Sequence, residues 1–519
     1  MSVVERTSAL RRFVPSIRNV VAGYAGTVAE ALVFLLLTPF LVRKLGIDEY
    51  GLWGVGVALA EWVQFLDPGL REALMKYASA HQARAEALLV RRTADTALYL
   101  YMGVGAIALL ALLVVTFLVL PRVVEDPVRL HQLRWLVLLL GLSSAISLPA
   151  GTAAAMLEGL GRFDLLNLIR GIHAGLRLFL TVLVVQLGYG LPGVAAAELI
   201  GRIVLHVLRW RAVASIDPAI VPRPLLHREH VRRLLDFGVW SWMRQAAELL
   251  VMRSYEPILS AFVGLEITGQ FFAGRRLATV SAEAIVPLSA VLFPLSCELD
   301  AQGRGRALRQ TLLQTTKVAF LIALPLCLLL ALGADAIQTN WLGNRAPLAV
   351  PVMQAFSLVF LVVAVALPAE SMLLGLGYAR LLAWTNLVLG VLTLGVGVAL
   401  IPILGSVGLA YGALVGVLVV HMGVHLPLAA KRCGVPLPQL IRRGMLPPAA
   451  AAAPVGYLLL FTHDHMALGG LAALGAWGGG GLLFYAGLLW LWGFDAEEKA
   501  FLKQHLGRLL NPPRPPEPT

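Results

Sequence analysis

Arginine and glutamate recur inside stretches of this sequence that are otherwise apolar, at spacings that bring them together. Arg244 and Glu248 are four residues apart and Arg253 and Glu256 three apart, so each pair can share one helical face. Arg275, Arg276 and Glu283 follow in the next apolar run. Arg170, His173 and Arg177 fall at i, i+3 and i+7, and Glu198, Arg202 and His206 at i, i+4 and i+8, each set one stripe. A charge in hydrocarbon is costly unless it is paired or faces water, so such residues are functional candidates. A guanidinium stays charged when desolvated and offers a two-pronged hydrogen-bond fork to anionic oxygens. Arg253, Arg275 and Arg276 lead the anion-binding candidates, followed by Arg177 and Arg244. The carboxylates of Glu30, Glu61, Glu248 and Glu283 are candidates for coupling to protons or sodium. The competing reading is structural: ion pairs such as Glu248 with Arg244, or arginines reaching back to headgroups.

Those charges need elements to hold them, and composition says which kind. The chain has 519 residues, 58% hydrophobic and 14% charged, with a mean hydropathy of +0.79. That is an integral membrane protein. Apolar runs long enough to span a bilayer cover 20–41, 51–70, 95–119, 132–156, 166–187, 192–213, 237–260, 269–296, 313–334, 348–373, 383–403, 406–429, 446–462 and 467–492. The expected fold is an all-α polytopic membrane protein of about 14 helices.

Arg6, Arg11, Arg12 and Arg18 precede the first run, which is too long and lacks the small-residue site of a cleavable signal. Lys and Arg concentrate in alternate loops, which puts both termini in the cytoplasm. The net charge of +12 therefore reads as topology and anionic-lipid contact, with no soluble platform for nucleic acid. Short outer loops argue against a polymerase or ligase working on that face. The 71–92 segment and the stretch from Asp495 to Leu510 read as amphipathic helices at the membrane surface, followed by an extended proline-rich tail.

Weaker signals point away from cofactors. Cys297, Cys327 and Cys433 have neither disulfide nor zinc spacing. His421 and His425 are four apart, and His463 and His465 flank Asp464, but the sequence supplies no third ligand, so no metal is expected. No ATP-binding motif, catalytic constellation or cofactor motif is present. The glycines around 478–481 read as close helix packing. Trp53, Trp135, Trp240, Trp242, Trp341, Trp490 and Trp492 read as interfacial anchors.

The chain also repeats itself. At an offset of 218, Glu30, Pro39, Gly46 and Gly51 match Glu248, Pro257, Gly264 and Gly269. "LEGLG" at 157–161 matches "LLGLG" at 373–377, and Gly193, Ala195 and Gly201 match Gly408, Ala410 and Gly416. This predicts two six-helix lobes in parallel repeat: 1–213, a cytoplasmic linker at 214–236, a second lobe at 237–430, and two extra helices with a tail at 431–519. Gly46 and Gly51 would permit a tight turn, and Pro39 would kink or end the first helix.

"FLVRKLGIDEYGLWGVGVALAEWVQFLDPGLREALMKYASAH" closely resembles the first two helices of the polysaccharide-biosynthesis, or O-antigen flippase, proteins of the multidrug/oligosaccharidyl-lipid/polysaccharide exporter superfamily. The resemblance is strongest over residues 15–95. It implies a two-lobed bacterial inner-membrane transporter with a central cavity, not an enzyme. Its cargo would be a polyprenyl-pyrophosphate-linked oligosaccharide, and its partners membrane lipids and polysaccharide assembly enzymes. The arginines would then meet the pyrophosphate. A multidrug and toxin extrusion type exporter and a membrane glycosyltransferase or polymerase are the alternatives.

Overall fold

The computed structural model of the protein describes residues 29–83, 86–343, 346–465, 470–494 and 499. The arginines before the first span, the helix expected after residue 494 and the proline-rich tail lie outside them. Every described segment of regular structure is helical, and ten helices are long and apolar enough to cross a membrane. The protein is an all-α polytopic membrane protein.

The first half runs through α1 (29–45), α2 (Ile47–Glu61), α3 (Leu70–Ala83), α4 (Ala87–Val114), α5 (Pro127–Gly159), α6 (Phe163–Gln186) and α7 (Gly190–Ile216). The second runs through α8 (Arg228–Met252), α9 (Tyr255–Phe262), α10 (Leu265–Glu283), α11 (Val286–Ala301), α12 (Gly305–Leu332), α13 (Ala334–Leu342), α14 (Ala349–Gly375), α15 (Ala379–Leu404) and α16 (Val407–Val417). A π-helical segment, Leu418–His425, continues α16 to Arg432. α17 (Leu446–His465) and α18 (Leu471–Leu488) close the chain.

The repeat is written in the backbone. Gly46 and Gly264, at φ 100 and φ 88, each sit one residue before a helix start. Gly161 and Gly377 adopt φ 69 and φ 88 after α5 and α14, and Gly188 and Gly405 φ 83 and φ 60 before α7 and α16. These left-handed conformations suit glycine, so the matched glycines punctuate both copies alike.

One apolar core joins the halves. It contains Tyr50, Trp53 and Leu136 from the first and Tyr255, Phe271, Phe356 and Leu409 from the second. Tyr255, Phe271 and Phe356 contact one another at centroid distances of 5.6–5.8 Å, a geometry worth about 0.5–1.5 kcal/mol per pair beyond burial. At the opposite helix ends the cores divide: one forms around Leu70, Leu74, Met156 and Val213, the other around Leu312, Met372, Leu382 and Ala429. Between α15 and α16 small residues allow close approach, since a Cβ on Gly412 would run into the Gly397 backbone.

Several spans end or break where proline intervenes. α2 stops at Glu61 and one tight turn carries the chain to Leu66, so the 51–70 span is shorter than expected, closed off by Pro68 and Gly69. The span at 237–260 is two helices, α8 and α9, and that at 269–296 is also two, α10 and α11. Pro257 and Pro287 lie in the first turns after these breaks. Pro39 does not end α1, which runs on to residue 45. The 71–92 segment is also not one surface helix: α3 ends at Ala83 and the rest opens α4. Trp53 and Trp341 are buried in the shared core rather than standing at an interface. None of the three cysteines is in a disulfide, and burial, with the Asp300 charge adding to it, pushes Cys433 up to about 11.

Candidate functional site

The breaks bring the two halves into polar contact. A proline leaves the carbonyl four residues earlier without its helical donor. For Pro257 that carbonyl belongs to Arg253, and the Trp62 indole N–H donates to it at 3.1 Å. For Pro39 it belongs to Leu35, and the Trp341 indole N–H donates to it at 2.7 Å. Each half thus caps the repeat-equivalent proline of the other. Beside the first cap, the Arg253 guanidinium pairs with Glu61 at 2.5 Å, so consecutive residues at the end of α2 hold both the backbone and the side chain of Arg253. The Trp242 indole N–H donates to the Phe65 carbonyl at 2.7 Å, a further bond across the halves.

The remaining sequence candidates fall into two groups. In the first half, Arg202 of α7 donates to Glu198 at 2.9 Å, and Arg177 of α6 forms an ion pair with the same carboxylate, also at 2.9 Å. Glu198 is buried, whereas the Arg177 and Arg202 side chains keep 40% and 32% of their surface. His206 meets Ser147 of α5 at 2.9 Å. In the second half, Arg275 and Glu256 are both buried and bonded at 2.5 and 3.1 Å, with the guanidinium over the Tyr255 ring. Arg276 pairs with Glu283 at 2.6 Å and lies over Phe34 of the other half at 5.3 Å from its centroid. The expected helical pairing of Arg253 with Glu256 does not form. The break between them turns Glu256 to Arg275 and Arg253 to Glu61.

Electrostatics ties these groups together. Arg276, Arg177 and Glu256 act on the Tyr50 hydroxyl, and Glu198, Glu61 and Glu30 act on Arg202. Glu30 is exposed near the start of the described part of α1. Arg244 and Glu248 lie on α8, with side chains outside the described set. Sequence reasoning missed Arg209, which feels the charges of Arg170, Arg71, Glu158 and Arg202, and Arg71, which pairs with Glu158 at 2.5 Å. Arg71 opens the 71–92 segment read as a surface helix, and Arg209, inside the 192–213 span on α7, extends the Arg202 and His206 stripe by a turn.

The arrangement can bind anionic oxygens. Each partly exposed guanidinium has five donors and spends at most two or three on its carboxylate.

Known proteins place this geometry in context. A family model described as "Polysaccharide biosynthesis protein" matches residues 40–351. An inward-facing multidrug resistance MATE family transporter of the MOP superfamily superposes with a TM-score of 0.67 at 16% identity, covering 80% of this chain and 98% of its own. The outward-facing conformation of such a transporter gives 0.65 at 16%, covering 81% and 95%. A MOP superfamily transporter from Pyrococcus furiosus, reported with a binding pocket of reverse polarity, gives 0.62 at 15%, covering 81% and 95%. At these identities the likeness is one of fold. No curated protein matches the sequence. With the family match spanning more than half of its length, the chain belongs to the polysaccharide biosynthesis protein family.

Proposed function

We propose that the protein flips a polyprenyl-pyrophosphate-linked oligosaccharide, a surface polysaccharide repeat unit such as an O-antigen unit, from the inner to the outer leaflet of the bacterial inner membrane. The observation that carries this reading is the set of partly exposed arginines in a chain of this family: Arg253 and Arg276, which meet residues of the other half, and Arg177 and Arg202 on α6 and α7. A pyrophosphate and sugars cannot cross hydrocarbon unless polar groups replace water. Guanidinium forks replace it well, because they match phosphate oxygens in charge and geometry.

The divided cores suggest the path. The halves share apolar packing at the end carrying Gly46 and Gly264 and keep separate cores at the other. With both termini cytoplasmic, a cleft between the lobes would open inward. The pyrophosphate would enter past Arg71 and Arg209 and compete with Glu198, Glu61 and Glu283 for their arginines. Rocking one lobe, 1–213, against the other, 237–430, would then expose the load outside. Arg275 is the weakest substrate candidate, being buried against Glu256. Arg244 and the coupling carboxylates Glu30, Glu61, Glu248 and Glu283 stay in this proposal as secondary candidates.

The test is a mass-spectrometric survey of polyprenyl-linked sugars in cells with and without the protein. Accumulation of one complete lipid-linked repeat unit in its absence is expected. An unchanged lipid pool, in cells with no second flippase, would overturn the assignment. Structural likeness to multidrug transporters keeps export of a cationic drug as the second reading. Replacing Arg177 and Arg276 by Ala should then spare or improve cation export, whereas it should abolish flipping.

A further inference from the structure

We infer that Glu370, His421 and His425 form a binding site for one divalent transition-metal ion of the zinc type. This inference is independent of the proposed flippase function. Sequence spacing pairs two histidines without a third ligand; the fold supplies it from α14. One ligand atom from each of the three residues lies within 4.8 Å of the other two.

The side chains around the cluster orient it as a metal site requires. The His421 and His425 Nδ1 atoms are 3.1 Å apart. Two tetrahedral zinc ligands at the usual bond length sit about 3.3 Å from each other. The Thr385 hydroxyl lies 2.6 Å from His425 Nε2 and donates to the Leu381 and Leu382 carbonyls at 3.0 and 3.1 Å. Its hydrogen being committed there, the hydroxyl oxygen accepts the Nε2 proton, and the His425 Nδ1 lone pair points at His421. A metal-binding imidazole is held in this way by its other nitrogen. The Asn386 amide likewise donates to Glu370 at 3.2 Å, while its buried oxygen has no partner among the described residues. Such an orphan acceptor suits a water on the open position of a three-ligand ion.

Two further observations separate this cluster from ordinary helix packing. His421 and His425 occupy the longest of the π-helical segments among the described residues, a geometry frequent at functional sites. The internal repeat also provides a control. His206 is equivalent to His421, yet it bonds to Ser147, and the positions equivalent to His425 and Glu370 hold Trp210 and Ala154. The shared architecture therefore does not demand the set. Two imidazoles and one carboxylate favour zinc, cobalt or nickel over sodium, calcium or magnesium, which prefer oxygen ligands.

The test uses the full chain, purified in lipid nanodiscs without a polyhistidine tag, dialysed against Zn²⁺ and then against metal-free buffer, with metal counted by mass spectrometry. About one Zn²⁺ per chain is expected. His421→Ala, His425→Gln and Glu370→Gln should each lower retention at least tenfold at unchanged size-exclusion profile, whereas His463→Ala should not. No retained zinc in the parent chain, or equal retention in the three variants, would overturn the proposal. Should the variants not fold, the parent chain loaded with Co²⁺ still decides: intense visible bands of a four-coordinate ion are expected, and the faint bands of six-coordinate cobalt would overturn it.

Discussion

Gly51 and Gly269, equivalent positions of the two repeats, pack backbone against backbone. A Cβ on Gly51 would run into the Leu265 carbonyl and the Gly269 nitrogen, and one on Gly269 into the Ile47 carbonyl and the Gly51 nitrogen. The pseudo-symmetry relating the halves therefore passes between these two residues, where α2 and α10 touch. Gly51→Ala or Gly269→Ala should lower stability in detergent by about 1–3 kcal/mol, as overpacking does. Because the two changes disturb one contact, the double variant should lose less than the sum. Thermal unfolding of the four proteins measures this, and strict additivity would refute the shared contact.

Arg275 and Glu256 should behave as a structural pair. Both are buried, so removing one partner strands the other's charge, a cost of about 3–5 kcal/mol. Arg275→Met should therefore unfold readily, and adding Glu256→Gln should recover much of the loss. A double-mutant cycle on thermal stability checks it. If Arg275→Met instead left stability intact and stopped only transport, Arg275 would return to the substrate site.

How far this was legible in sequence depends on the kind of signal. Gly46 with Gly264, and Gly161 with Gly377, announced the repeat because glycine is needed wherever φ is positive. The apolar runs announced the spans because hydrocarbon excludes anything else. Pairing was not legible. Arg253 and Glu256 lie three apart, but the Pro257 break rotates them away from each other, and Glu61 comes from another helix altogether. Trp341 looked like a headgroup anchor because its position near a span end is the same whether it faces lipid or the other half. Glu370 was passed over for a similar reason: its histidine partners are more than fifty residues away and meet it only through packing.

The proline caps predict a rescue. Trp341→Phe leaves the Leu35 carbonyl without a donor in a buried setting, which should cost about 1–3 kcal/mol. Pro39→Ala restores a backbone N–H four residues on, so the combination should regain part of that loss. Trp62 is 41% exposed, and water can replace its bond, so Trp62→Phe should cost less. Thermal stability of the variants decides the order. Failure of Pro39→Ala to improve Trp341→Phe would show that lost ring packing, not the carbonyl, sets the cost.

Arg253 and Glu61 offer the sharpest test of competition between carboxylate and phosphate. If the pyrophosphate takes the guanidinium from Glu61, then Arg253→Gln removes a charge-assisted hydrogen bond worth about 1.5–3 kcal/mol, so apparent substrate affinity should fall about tenfold or more. Glu61→Gln removes the competitor and should raise that affinity, even though it breaks the same ion pair. A purely structural pair predicts the same loss from either change. Initial flipping rates in proteoliposomes, measured over a range of lipid-linked oligosaccharide concentrations, separate the two cases. Opposite shifts in half-saturation would support substrate contact, and parallel losses tracking thermal stability would assign the pair to the joint between the halves.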